Sequence, residues 1–237
     1  MCTVSFVKKD NGEVILTSNR DEKTHRATLP PQDYSIGAKK VAFPKDEIAG
    51  GTWIALGDDG TFCCLLNGAF EKHNSKGNYR RSRGQIVLDV FRSPTVDDFI
   101  NKIDLDNVEP FTLIIYQSAT QKLNLLVWDE KEKHISDLDI NEPHFWGSAT
   151  LYTKEFTDVR RKQFFEHLKN DKEEQSIFQK HSSTKEEGGF VLNNRDGIET
   201  VSVTQIILTE LKGSMNYFVL DEKSKTKITK EWKKELL

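Results

Sequence analysis

Two glycine-closed acidic turns, Asp10-Asn11-Gly12 and Asp58-Asp59-Gly60, do most to limit what this chain can fold into. Each lies between two short stretches rich in β-branched and aromatic residues, and such a turn joins strands that run antiparallel. The first predicts a hairpin of residues 3–8 with 13–17, the second a hairpin of Gly51–Gly57 with Thr61–Asn67. Further strands are expected at Phe111–Tyr116, Leu123–Trp128, Val201–Leu208 and Met215–Leu220. The consecutive Leu113, Ile114 and Ile115 predict a strand covered on both faces. The polar, proline-containing stretch Asn19–Pro31 is expected to be a loop, as is Ser182–Gly189.

Helices are grouped between these strands. Ile86, Val90 and Phe91 share one helical face, and Thr95-Val96-Asp97-Asp98 reads as a helix start followed by the apolar pair Phe99 and Ile103. Phe156, Val159, Phe164 and Leu168 form a stripe over Thr153–Lys169, and Lys172–His181 is expected to be helical too. Hairpin strands with grouped helices predict an α+β fold. Two stacked sheets, or one large sheet flanked by helix layers, fit better than alternating βαβ units. The 237 residues require no second domain, so 1–237 reads as one.

Several function classes drop out. The net charge of -3 gives no broad electrostatic reason to bind nucleic acid. The lysines of Lys223–Lys234 alternate with acids and read as a solvated terminal face. No apolar run is long enough to insert in a membrane, no secretory signal is expected, and three cysteines do not make a disulfide framework; a cytoplasmic location follows as the expectation. There is no phosphate loop and no G-x-S-x-G elbow. The histidines (His25, His73, His134, His144, His167, His181) form no pair at metal-ligand spacing, and the neighbours Cys63 and Cys64 would point to opposite faces of a strand. No metal and no cofactor is expected. Asn194-Arg195-Asp196, before Gly197, reads as turn chemistry.

Cys2 is what remains. Removal of Met1 would leave a thiol on the residue that bears the free α-amino group. That amine titrates at roughly 7.7–8.0 and can take the thiol proton near neutral pH, so nucleophile and base are one residue. The first hairpin then brings the end of its second strand, Asn19-Arg20-Asp21-Glu22, beside the chain start. An acid there can orient a terminal ammonium, and an arginine can lower a thiol pKa or hold a substrate carboxylate.

These residues resemble a known family. Met1-Cys2, Asn19-Arg20-Asp21-Glu22, Gly50-Gly51-Thr52-Trp53, Asn67 and Ser82-Arg83-Gly84 resemble, in order and approximate spacing, the NRDE-motif family, also called the transport and Golgi organisation family. The match is specific over residues 1–92. That family is similar to the N-terminal nucleophile hydrolases, which implies their αββα four-layer sandwich. The resemblance implies Cys2 as nucleophile with its own amine as base, Asp21 as the acid that orients the amine, and Asn67 as an amide donor to an oxyanion. Asn19 and Arg20 would line the site, with Trp53 and Phe70 as an apolar wall for the substrate. As residue types, Asn67 before Gly68 also fits a turn, and the two aromatics also fit a core.

Two segments depart from the family pattern. Trp146-Gly147-Ser148-Ala149 stands where many members have Leu-Ser-Asn-Ser, and Thr200-Val201-Ser202-Val203-Thr204 where they have Thr-Arg-Ser-Ser-Thr. Three functions stay open on the sequence. One is an amidohydrolase acting on a linear, non-peptide C–N bond of a small-molecule substrate. The second is a non-catalytic carrier, for haem or lipid-derived cargo as the resemblance suggests. The third is an interaction protein with no small-molecule site. Nothing in the sequence sets the oligomeric state.

Overall fold

The computed structural model describes residues 3–193, 196–220 and 227–233. The chain forms two compact units, one of Met1–Arg26, Ile140–Gly147 and Tyr152–Leu237, the other of Ala27–Asp139 and Ser148–Leu151.

The first unit is built on the N-terminal hairpin. β1 (Thr3–Lys8) and β2 (Val14–Lys23) pair antiparallel from Thr3 opposite Asn19 to Lys8 opposite Val14. Gly12 closes the turn at φ 83°, where a side chain would be strained. β10 (His144–Gly147) adds to the outer edge of β1, and β11 (Ile198–Leu208), β12 (Lys212–Val219) and β13 (Lys227–Lys233) follow on the side of β2. The sheet order is β10-β1-β2-β11-β12-β13. Two helices, α3 (Lys154–Asn170) and α4 (Glu174–Ser182), pack on this sheet. The apolar layer between holds Val7, Ile15, Phe145, Phe164, Leu168, Ile177 and Phe190. Each large side chain buried there contributes about 1.5–3 kcal/mol. Thr153 caps α3, its hydroxyl accepting from Phe156 N–H.

The second unit is a seven-stranded sheet. Its strands, in sheet order, are β3 (Thr28–Ile36), β4 (Lys39–Asp46), β5 (Ile54–Gly57), β6 (Thr61–Asn67), β7 (Phe111–Gln117), β8 (Lys122–Trp128) and β9 (Lys133–Leu138). α1 (Arg83–Arg92) and α2 (Val96–Lys102) accompany it, capped by Ser82 and Thr95. Leu113, Ile114 and Ile115 are all fully buried, as expected of a strand covered on both faces.

The structure corrects several expectations. Asn19–Pro31 is not one loop, because β2 runs on to Lys23 and β3 begins at Thr28. Pro30 and Pro31 fit because β3 is an edge strand and its register shifts between Leu29 and Gln32, where a missing N–H costs little. Val159 is exposed, and Arg160 takes the buried place beside it. The terminal lysine-rich segment forms a strand over Lys227–Lys233. Among the described residues no helix is long and apolar enough to cross a membrane.

Candidate active site

The β1–β2 register sets the site. Successive side chains alternate between the two faces of a strand. Thr3, Ser5, Asn19 and Asp21 therefore share one face, the one packed on α3 and α4, while Val4, Ser18 and Arg20 share the other. Cys2 and Met1 lie outside the described residues.

On the helix-packed face every polar group meets a partner. Asp21 is 3% exposed; its Oδ2 accepts from the Tyr152 hydroxyl at 2.9 Å and its Oδ1 from the Thr200 hydroxyl at 2.5 Å. Thr200 reaches it because the β2–β11 register shifts between Thr200 and Ser202, leaving Val201 as the extra residue. The departure from the family at Val201 thus falls inside a β-bulge. Arg160 donates to Thr3 Oγ1 at 3.1 Å and lies 4.7 Å from the ring centroids of Tyr152 and Phe156 and 5.4 Å from that of Phe190.

His181, on α4, was not singled out by its sequence context, yet it is fully buried against Asn19. Asn19 Nδ2 donates to the His181 backbone carbonyl at 2.9 Å, which orients the amide and turns Oδ1 toward the ring. Asn19 Oδ1 only accepts, so His181 Nδ1 carries the hydrogen and donates across 2.5 Å. Nε2 is then the acceptor for the Ser5 hydroxyl at 2.8 Å. One neutral imidazole therefore ties β1 to β2. Burial, helped by the Arg160 charge, pushes its pKa down to about 3. No sequence spacing could have revealed it, because 162 residues separate His181 from Asn19.

Arg20 lies on the opposite face at 2% exposure, so Asn19 and Arg20 do not point into one space. The remaining expected residues belong to the second unit. Asn67 ends β6, and its backbone carbonyl accepts from the Ser148 hydroxyl at 2.8 Å. Trp53 is 2% exposed, and its carbonyl accepts from Leu65 N–H. Phe70 is 60% exposed and edge-on to His134, at 4.9 Å between centroids. The Gly-Gly-Thr-Trp and Ser-Arg-Gly segments meet each other: Thr52 N–H donates to Gly84 O at 3.1 Å, and a Cβ on Gly51 would stand 2.5 Å from the Gly84 carbonyl carbon. Arg83 is held by Glu109 and the Pro110 carbonyl. These motif residues shape backbone contacts.

Neither internal thiol is poised for chemistry. Cys63 and Cys64 are buried, and burial raises the Cys63 thiol well above its ordinary value. Asp129, Glu132 and His134 each bring one ligand atom within 4.8 Å of the others. Backbone N–H groups of Lys131 and Glu132 occupy Asp129 Oδ1, however, and His134 meets its Oδ2. The Glu132 N–H and His134 hold that carboxyl at about 2. This is turn chemistry.

The family model for Transport and Golgi organisation 2 matches residues 1–233. The chain belongs to this family. No curated protein matches it by sequence. Among solved structures, a Caenorhabditis elegans N-acylethanolamine-hydrolyzing acid amidase ortholog is similar, with a TM-score of 0.62 and 14% identity over 86% of this chain and 92% of that one. An arginine variant of Clostridium perfringens conjugated bile acid hydrolase has a TM-score of 0.58 at 11% identity over 98% of this chain and 97% of that one. Its Cys-to-Ala variant has a TM-score of 0.53 at 10% identity over 99% and 98%. These are N-terminal nucleophile hydrolase structures, and this family member has their αββα fold.

Proposed function

We propose that this family member is an amidohydrolase that cleaves a linear, non-peptide C–N bond, with Cys2 as N-terminal nucleophile. The observation that carries the reading is Asp21, a buried carboxylate fixed from both oxygens two residues beyond the partner of Thr3. The fold adds support, as does the Cys-to-Ala variant at position 2 of the similar bile acid hydrolase.

The chemistry follows from the residue types. With Met1 removed, the α-amine of Cys2 takes the thiol proton and the thiolate attacks the amide carbonyl. The oxyanion needs a donor; Asn67 is given that part on the resemblance, where one such donor contributes ~3–4 kcal/mol. Collapse expels the amine, which takes its proton from the α-ammonium, and leaves a thioester. Water, losing its proton to the α-amine, then releases the acid. Asp21 orients the amine and favours its protonated form after it has taken the thiol proton.

Intact mass and alkylation test this together. Loss of Met1 and iodoacetamide labelling of Cys2 well ahead of Cys63 and Cys64 at pH 7 are expected. Turnover of an N-acylethanolamine or conjugated bile acid panel should disappear in Cys2→Ala. A retained Met1, or equal slow labelling of all three thiols, would leave the carrier reading, which haemin and acyl-CoA titrations then address.

A further inference from the structure

Asn67 stands where β6 runs past the end of its neighbour. Leu65 N–H donates to the Trp53 carbonyl at 2.8 Å, so the backbone groups of the odd-numbered residues of β6 turn toward β5. β5 begins only at Ile54, opposite Cys64. The Asn67 carbonyl, two residues beyond Leu65, has therefore left the ladder and needs a donor from elsewhere. Ser148 supplies it, donating to Asn67 O at 2.8 Å from a position only 1% exposed.

The bond belongs to a chain of fixed direction. A carbonyl only accepts, so the one Ser148 hydroxyl hydrogen is committed to Asn67, and the Thr150 hydroxyl, 2.9 Å away, donates to Ser148 Oγ. Each bond polarises the next. Gly68 is held as well. Its N–H donates to the Pro110 carbonyl at 2.9 Å, its own carbonyl accepts from the Thr112 hydroxyl at 3.0 Å, and Arg83 donates to the same Pro110 carbonyl at 3.1 Å. Gly68 has φ 86°, and a Cβ there would stand 3.1 Å from Thr150 and 3.2 Å from Ala149, so this bend is pressed against residues 148–150. The Asn67 side chain is treated differently. It is half-buried, and its amide meets no hydrogen-bond partner among the described residues. A clamped backbone with an uncommitted amide suits a donor kept for a ligand.

We propose that Ser148 is a positioning residue, which aims the Asn67 amide at the oxyanion by holding the Asn67 backbone. The inference rests on the proposed hydrolase and gives a part to the segment Trp146-Gly147-Ser148-Ala149, which departs from the family pattern. Ser148 takes the place of an asparagine there, yet its single hydroxyl hydrogen is already committed, so it does not itself donate to an oxyanion. Position 148 acts through Asn67.

Two reagents separate this role from packing. p-Nitrophenyl butyrate acylates a thiolate through a tetrahedral oxyanion, the thioester forming as p-nitrophenolate leaves. Iodoacetamide alkylates the same thiolate by displacement of iodide, and no oxyanion forms. Cys2→Ala gives the background for both. Ser148→Ala should slow acylation of Cys2 roughly 10-fold and leave its alkylation unchanged. Asn67→Ala should slow acylation by on the order of 10²-fold, and Ser148→Ala added to it should bring no further loss, because the brace then holds no donor. Thr150→Val, which removes only the outer bond of the chain, should give a smaller loss of the same kind, and it carries the test if Ser148→Ala does not fold. Equal slowing of both reactions, unchanged acylation, or losses that multiply in the double variant would overturn the assignment. Wild type acylated no faster than Cys2→Ala removes the hydrolase reading and the brace with it. Wild-type acylation that is indifferent to Ser148 and Thr150 removes the brace alone.

Discussion

The Ser5 hydroxyl, on one face of the β1–β2–β11 ladder, meets His181 Nε2 at 2.8 Å. The Thr204 hydroxyl, on the other face and equally buried, meets no partner among the described residues. The same contrast holds for neighbours. Thr3, Asn19 and Asp21 are all tied to groups on or next to α3, α4 and β11. A completed polar network rigidifies; an incomplete one is costly unless something else completes it. The helix-packed face therefore serves as the scaffold that fixes the strand ends, and on the other face the Thr204 hydroxyl keeps unmet hydrogen-bonding capacity among the described residues.

The contrast can be broken or sharpened by substitution. The largest effect is expected from Asp21→Asn, which keeps the shape but removes the charge that orients the amine. Cys2 alkylation at pH 7 should slow by on the order of 10²-fold; an unchanged rate would deprive the scaffold face of any catalytic part. Next comes His181→Ala, which strands Asn19 Oδ1 and the Ser5 hydroxyl and should lower stability by about 2–4 kcal/mol in urea titrations.

Two shape mimics refine that result. His181→Asn places a donor where Nδ1 stood and restores the bond to Asn19; His181→Gln places an acceptor where Nε2 stood and restores only the bond to Ser5. If the clamp works through Asn19, the Asn variant keeps the Cys2 alkylation rate and the Gln variant loses it by roughly 10-fold. Matching rates in the two would reduce His181 to packing.

A pH series gives a smaller but signed effect. His181 titrates near 3 when folded and near 6.5 when unfolded, so below pH 6.5 the unfolded chain binds a proton that the folded one refuses. Stability should fall as pH drops from 6.5 toward 3, by at most about 1.4 kcal/mol per pH unit from this group. Subtracting the same titration of His181→Asn isolates the slope, and identical slopes would contradict the buried neutral ring. The smallest effect is expected on the opposite face, where Thr204→Val should gain about 1 kcal/mol. A loss there would mean that the hydroxyl already has its partner.

The parts of the fold legible in sequence are those written in short-range chemistry. Both acidic turns announce their hairpins, Thr95 caps α2 as its spacing predicts, and β7 shows its double burial as an unbroken apolar run. The strands that escaped notice include all four sheet edges: β3 and β9 in one sheet, β10 and β13 in the other. Edge strands carry charges and prolines because a bare edge invites mispairing, so they read as loops until a partner is known. The helical stripe over Thr153–Lys169 was right in extent and wrong at Val159, since a guanidinium stacked on rings can occupy a core position. The site was half legible. Asn19, Arg20 and Asp21 could be placed near the chain start by counting through one hairpin. Their division between two faces followed from alternation, but what each face contained did not.

By itself the sequence determined the hairpin that brings Asp21 back toward residue 2, the family, and the thiol chemistry that a cysteine at position 2 permits. Tertiary structure alone decided that His181 clamps Asn19, that a bulge at Val201 delivers the Thr200 hydroxyl to Asp21, and that the Thr204 hydroxyl meets no partner among the described residues. The reason is separation: turns and caps are settled by neighbours a few residues apart, whereas buried hydrogen bonds here join groups up to 188 residues apart. Only the packed chain shows which polar groups find one another.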